Sequence, residues 1–311
     1  MKAVLPDMVR SLLEPRLPAG LEAVWISNPD DARRGIVDAE IAWIDGLGGS
    51  VVREIMPQGK RLKWFFTLGA GVEYLDLAFL RDRGVVLTNG SGLNSSAVAE
   101  YAVMGILAAA KRYDEVVRLT DRREWTANAP GRIELAGTKA LIIGMGAIGR
   151  LIAKRLVAFD VAVTGTTRSG SDGTLKPNEW RARLGEFDWV VLAAPSTGET
   201  RAMIGAAELA AMRPTAWLVN IARGEVVDQP ALIEALRERR IGGAFLDTVT
   251  PEPLPKDHPL WSADNCLITM HLSGRSQTQM SARAVDLFLE NFDAFRTGQP
   301  MQNVVDLGVG Y

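Results

Sequence analysis

This 311-residue sequence predicts an α/β protein of two domains, each a parallel sheet covered by helices. Its length, with 47% hydrophobic residues, exceeds what one ordinary core absorbs. Short apolar runs alternate with amphipathic stretches along nearly the whole chain, a pattern of strands and crossover helices rather than of a sandwich. Midway, ALIIGMGAIGRLIAKRL sets a glycine-rich turn between an apolar strand and a helix, as in a Rossmann-type, doubly wound dinucleotide fold.

The first strands are expected in KAVLP, LEAVWIS, AEIAWID, RLKWFFTLGAG and GVVLTNGSG, which are short, rich in Val, Ile, Trp and Phe, and separated by helical segments. AVAEYAVMGILAAA carries Glu100 and reads as a buried helix between domains rather than a membrane span. Residues 111–136 are charged, with Pro130-Gly131 as a breaker, and read as an irregular excursion that could serve as a subunit contact. A second sheet follows in KALIIG, VAVTGT, DWVVLAAP, AWLVNIARG, GAFLDTV and CLITMH, with helices such as IGRLIAKRLVAF and QPALIEALRERR between strands. The amphipathic SARAVDLFLENFDAFRTG returns to the first domain. The expected boundaries are residues 1–96 with 282–311 for one domain and 97–281 for the dinucleotide-binding domain.

Composition narrows the function. A net charge of -2 without a basic tail argues against nucleic acid as a partner. The lone Cys266 offers neither a disulfide framework nor a thiolate cluster for metal, and no metal site is expected. Pro6 and Asp7 interrupt the N-terminus before a secretory signal can develop, and no apolar run is long enough to span a bilayer. The expectation is a soluble, cytoplasmic protein.

Open parallel sheets bind ligands beyond the carboxyl ends of their strands, so residues just after each apolar run are the candidates. Gly144, Gly146 and Gly149, with Ala147 and Ile148 opening the helix, allow a tight turn whose N–H groups face a pyrophosphate. Arg223, Asp247 and His271 leave three successive strands, and Glu252 follows in the proline-stiffened TPEPLP. Singly, each has an ordinary reading: a solvated charge, or for a lone histidine a structural hydrogen-bonder, His258 being the only other histidine. Together a cation, a carboxylate and an imidazole beside a dinucleotide turn suit reversible hydride transfer to a carbonyl. Histidine donates the proton to the alkoxide, a carboxylate favours the imidazolium, and a guanidinium holds a substrate carboxylate in a fork.

In this order, GMGAIG, LAAPSTGETRAMI, NIARGEVVD, LDTVTPEPLP, HPLW and TMHLSG resemble the D-isomer-specific 2-hydroxyacid dehydrogenase family, with LGAGVEYLD, VAEYAVMGIL and the closing NFDAFRTGQPMQNVVD extending the likeness over nearly the whole chain. The resemblance implies a smaller, flavodoxin-like substrate domain beside the Rossmann domain, and Arg223, Glu252 and His271 as the catalytic set. It implies that Ala70 and Gly71 bind the substrate carboxylate through backbone amides, that Asp247 lies near the nicotinamide carboxamide, and that Ser96, Pro195 and Ala222 line the cofactor. It further implies a homodimer to which residues 111–136 contribute.

Two departures stand out. Met270 occupies a position where the family often has proline, and Arg275 one where a small or apolar residue is common; that cation reads first as a solvated charge, with a second anionic group on the substrate as the alternative. At the ribose end, Thr167 replaces the acid that would repel a 2′-phosphate, and Arg168 with Ser169 can bind one. This loop resembles NADP-preferring glyoxylate and hydroxypyruvate reductases, so NADP(H) is expected over NAD(H), with a small 2-oxo acid as partner substrate. Larger 2-oxo acids, such as phenylpyruvate or branched-chain acids, and a cofactor-sensing, corepressor-like role are the alternatives.

Overall fold

The computed structural model describes residues 1–72, 74–170, 173–275 and 277–308. The chain divides into two compact units, Met1–Asn94 with Gln277–Tyr311 and Ser95–Ser276.

The first unit runs β1 (Lys2–Pro6), α1 (Arg10–Leu13), β2 (Glu22–Ile26), α2 (Pro29–Ile36), β3 (Ile41–Trp43), α3 (Gly49–Ile55), β4 (Trp64–Thr67), α4 (Leu77–Asp82) and β5 (Val86–Asn89). Its strands are the five apolar runs expected from the sequence. They pair in parallel in the order β2-β1-β3-β4-β5, the flavodoxin-like arrangement. β3 and β4 are buried throughout, because helices cover both faces of a parallel sheet. Asn28 and Asp76 cap α2 and α4 by accepting from Asp31 and Phe79 N–H groups, which fixes where those helices start.

The second unit opens with α5 (Ser95–Lys111) and α6 (Tyr113–Arg122), then β6 (Lys139–Ile143), α7 (Ala147–Val157), β7 (Ala162–Thr166), β8 (Trp189–Leu192), α8 (Ala206–Ala211), β9 (Trp217–Asn220), α9 (Gln229–Arg237), β10 (Gly243–Leu246) and β11 (Cys266–Ile268). All six strands are parallel, in the order β11-β10-β9-β8-β6-β7. The order reverses between β6 and β8, which makes the topological switch point of a doubly wound sheet. No strand pairs with the outer side of β7 among the described residues; only Leu175 forms an isolated bridge to Thr166 there. α5 belongs to this unit and presses on β10, where a Cβ at Gly105 would come within 2.5 Å of the Phe245 ring.

The irregular excursion expected after α5 is in part a helix. Arg112 and Arg118 pair with Asp114 and Glu115, and two of these pairs are spaced i,i+3 and one i,i+4, which stabilises a turn of α6 that composition alone left unread. α10 (Met280–Thr297) returns the chain to the first unit, where its Phe288 stacks on Trp64 at 5.0 Å and meets Trp43 at 5.3 Å. No described helix is long and apolar enough to cross a membrane.

Candidate active site

Because all six strands of the second unit are parallel, the segments after β6, β8, β9, β10 and β11 leave one edge of the sheet. The turn after β6 is built for close backbone approach. Gly144 has φ +106°, and a Cβ there would meet the Ala194 nitrogen at 2.7 Å, so only glycine passes the β8 exit. Gly149 sits where a Cβ would lie 2.1 Å from the Gly144 carbonyl oxygen, which lets α7 pack against the turn. At Gly146, the N-cap of α7, nothing lies within 4 Å of such a Cβ, so the helix N-terminus faces open space. Tight turn, open approach and close packing are the three tasks a pyrophosphate cradle sets its glycines, and these residues fit that group.

The adjoining cavity, about 310 Å³, is lined by Gly144, Gly146, Thr167, Arg168, Arg181 and Pro195 among others. Thr167 serves the loop itself: its hydroxyl accepts from the Gly170 N–H at 2.9 Å and lies 2.7 Å from the Thr174 hydroxyl. Arg168 and Ser169 are exposed at the tip so formed, with Arg168 on the cavity wall. Arg181 is a second cation in this cavity that sequence reasoning missed. It follows no strand; it stacks on Trp180 at 4.5 Å and pairs with Glu208 at 2.9 Å, so no strand-end rule could find it. Ala147 and Ile148 occupy the first turn of α7. Ser96 lies elsewhere, at the start of α5, donating to Glu100 and accepting from Arg155.

At the far strands, His271 Nδ1 lies 2.8 Å from Glu252 Oε2. The loop that carries His271 is unusual, since Met270 and His271 both adopt left-handed φ angles of +54° and +56°. Asp247 holds it there. Its backbone carbonyl accepts from the His271 N–H at 2.6 Å, and its carboxylate accepts from the Thr269 and Ser273 hydroxyls and from the Leu272 and Ser273 N–H groups. At 1% exposure, Asp247 has both oxygens taken by this turn. Proline cannot reach φ +54°, so Met270 is compatible with this turn as proline is not, and the rigidity comes from Asp247.

Gln229, also unforeseen, clamps the Glu252 loop: its amide accepts from the Thr250 N–H and donates to the Thr250 carbonyl, and it lies 3.2 Å from His258 Nε2. His258 is thereby a structural hydrogen-bonder. Arg223 follows β9, donating one N–H to the Ala222 carbonyl at 2.9 Å; its other guanidinium donors meet no described acceptor. Ala222 is buried, its N–H donating to Asn220. A cavity of about 520 Å³ adjoins His271 and Glu252, walled by Leu254, Trp261 and Met270, with Arg275 at its side in no ion pair with a described residue.

In the first unit, the LGAG loop leaves β4. Asn89 donates to the Ala70 carbonyl at 2.7 Å and the Gly90 N–H donates to Gly69, which fixes the loop's path. The Ala70 and Gly71 N–H groups donate to no described residue. Glu73 of the same motif lies outside the described residues. Among the described residues, no group of His, Cys, Asp or Glu could hold a metal ion.

The family model described as D-isomer specific 2-hydroxyacid dehydrogenase, NAD binding domain, matches residues 103–273. The chain is 32% identical over 285 residues to the glyoxylate reductase of Thermofilum pendens, covering 88% of this chain and 84% of that one. It is 31% identical over 278 residues to the D-3-phosphoglycerate dehydrogenase of Methanocaldococcus jannaschii, covering 88% of this chain but spanning about half, 52%, of that relative. Among solved structures, the D-isomer specific 2-hydroxyacid dehydrogenase of Xanthobacter autotrophicus Py2, in complex with NADPH and MES, superposes with a TM-score of 0.78 at 27% identity, covering 100% of both chains.

Proposed function

The chain belongs to the D-isomer-specific 2-hydroxyacid dehydrogenase family, and on that premise we propose that it reduces a small 2-oxo acid, such as glyoxylate or hydroxypyruvate, to the D-2-hydroxy acid with NADPH. The observation that carries this reading is the 2.8 Å His271–Glu252 pair on the sheet edge that also bears the glycine cradle. Bound at that cradle, the reduced nicotinamide cofactor supplies the hydride. His271 gives its Nε2 proton to the oxygen that becomes the hydroxyl, while Glu252, on Nδ1, fixes the ring. The open donors of Arg223 form a fork for the substrate carboxylate and polarise the adjacent carbonyl. In the first unit, we assign the Ala70 and Gly71 N–H groups to a substrate carboxylate.

Support for NADPH over NADH comes from Thr167 in place of an acid and from Arg168 on the cavity wall. A charge-assisted hydrogen bond contributes about 1.5–3 kcal/mol, or about ten- to 150-fold in kcat/KM. The 520 Å³ cavity walled by Leu254, Trp261 and Met270 favours a second reading, in which larger apolar 2-oxo acids are the better substrates. A homodimer is supported by α6, which buries none of its side chains, and by Trp125, which is 98% exposed.

The test is consumption of NADPH and of NADH with a panel from glyoxylate to phenylpyruvate. Turnover of the small acids with NADPH is expected. Turnover at least as fast with NADH would overturn the cofactor assignment, preference for phenylpyruvate would select the second reading, and no turnover at all would point to a cofactor-sensing role.

A further inference from the structure

Asp45 follows β3, and its side chain reaches the exit of β4, where the LGAG loop begins. Its Oδ2 accepts from the Leu68 N–H at 2.6 Å and its Oδ1 accepts from the Thr67 hydroxyl at 2.9 Å. The Tyr74 hydroxyl lies 2.6 Å from Thr67 Oγ1 and 3.5 Å from Asp45 Oδ1. The groups that face the carboxyl are Trp43 from β3, Thr67 and Leu68 from β4 and its exit, and Tyr74 from the following turn; of these only Tyr74 titrates. Arg53 of α3 donates to the Tyr74 and Leu75 carbonyls, and no described cation pairs with Asp45. Among the described residues, then, an acid without a paired cation binds the Leu68 N–H, two and three peptide units from the Ala70 and Gly71 N–H groups assigned to an anion.

We infer that Asp45 is a proton-holding carboxyl that sets the anion affinity of the LGAG loop, neutral while the substrate carboxylate is bound. The inference rests on the reading of Ala70 and Gly71 given above. Both charge states are satisfied by the same neighbours. The carboxylate accepts from Leu68 and Thr67, whereas the acid accepts from Leu68 through one oxygen and donates to Thr67 Oγ1 through the other. Burial pushes the Asp45 carboxyl above the usual carboxylate range, in the direction this role requires. What differs is the field at the loop. Two peptide units span no more than about 7 Å, and a charge at about 10 Å in a medium of effective dielectric about 20 weakens anion binding by about ten-fold.

Asp45→Asn is a permanent copy of the neutral form, because its carbonyl accepts from Leu68 and its amide donates to Thr67. The probe is oxamate, an unreactive anionic analogue of a 2-oxo acid, titrated into the enzyme with saturating NADPH across the pH range. Wild type and Asp45→Asn should bind oxamate equally at acid pH. As pH rises through the Asp45 ionisation, wild type should weaken by about ten-fold relative to the variant, whatever His271 contributes to both. Thr67→Val, which removes a donor that favours the charged form, should move the wild-type break to higher pH and carries the test if Asp45→Asn does not fold. A ratio independent of pH, or weaker binding by Asp45→Asn at every pH, would overturn the inference while leaving the reductase reading intact. Failure of every form to bind oxamate or reduce a 2-oxo acid would overturn both.

Discussion

The turn after β6 and the edge formed after β9, β10 and β11 prepare one sheet for one reaction with different materials. The first is made of backbone: its glycines succeed by what they lack, and a Cβ at Gly149 would lie 2.1 Å from a carbonyl oxygen. The second is made of side chains, with His271, Glu252 and Arg223 projecting from loops that close hydrogen-bonding has set in place. A backbone-built site fails when an atom is added, and a side-chain-built site when one is removed. Cofactor binding and chemistry should therefore separate under mutation.

The largest separation is expected from His271→Ala, which should lower kcat by about 10²- to 10⁴-fold while leaving NADPH affinity nearly intact. Steady-state rates with cofactor titration by fluorescence measure both; a loss below about ten-fold would move the proton-donor role elsewhere. Met270→Pro tests whether the side-chain edge has a hidden backbone requirement. At φ +54° the proline ring cannot be accommodated, so the turn must rearrange and carry His271 with it. A displacement of about 1 Å costs about 10²-fold in kcat/KM, and thermal melting should show a lowered Tm. Unchanged activity would mean that the edge tolerates a different turn. Gly149→Ala is the converse probe. Overpacking costs about 1–3 kcal/mol, so KM for NADPH should rise by about five- to 150-fold, with kcat changing less.

How far the sequence revealed each region follows from the same distinction. The glycine spacing and the eleven apolar runs were legible because backbone constraints and two-sided burial leave regular marks on residue type. Arg223, Glu252 and His271 were legible because strand ends bring distant residues to one edge. Asp247 was legible in position but not in use, since only three-dimensional packing shows both of its oxygens holding the His271 turn. Arg181 and Gln229 left no signal at all. Each is an ordinary polar residue placed by a neighbour, Trp180 in one case and Thr250 in the other. α6 was hidden for another reason: none of its side chains is fully buried among the described residues, so its ion pairs, rather than a buried stripe, mark the helix.

The smallest effect is expected where the backbone-built and side-chain-built modes meet, in the loop after β7. Thr167 uses its hydroxyl to shape the backbone, accepting from Gly170, and so supports the position of Arg168 on the cavity wall. Arg168→Ala should raise KM for NADPH by about ten-fold, near the low end for a charged contact because Arg168 is exposed and solvent competes for it. KM for NADH, which lacks the extra phosphate, should move little. The difference between the cofactors should also shrink with added salt, since the Debye length falls from about 10 Å at 0.1 M to about 3 Å at 1 M. An equal rise for both cofactors, insensitive to salt, would mean that Arg168 packs on a part they share. The preference would then have to come from the loop shape that Thr167 holds, and Thr167→Val rather than Arg168→Ala would be the variant that removes it.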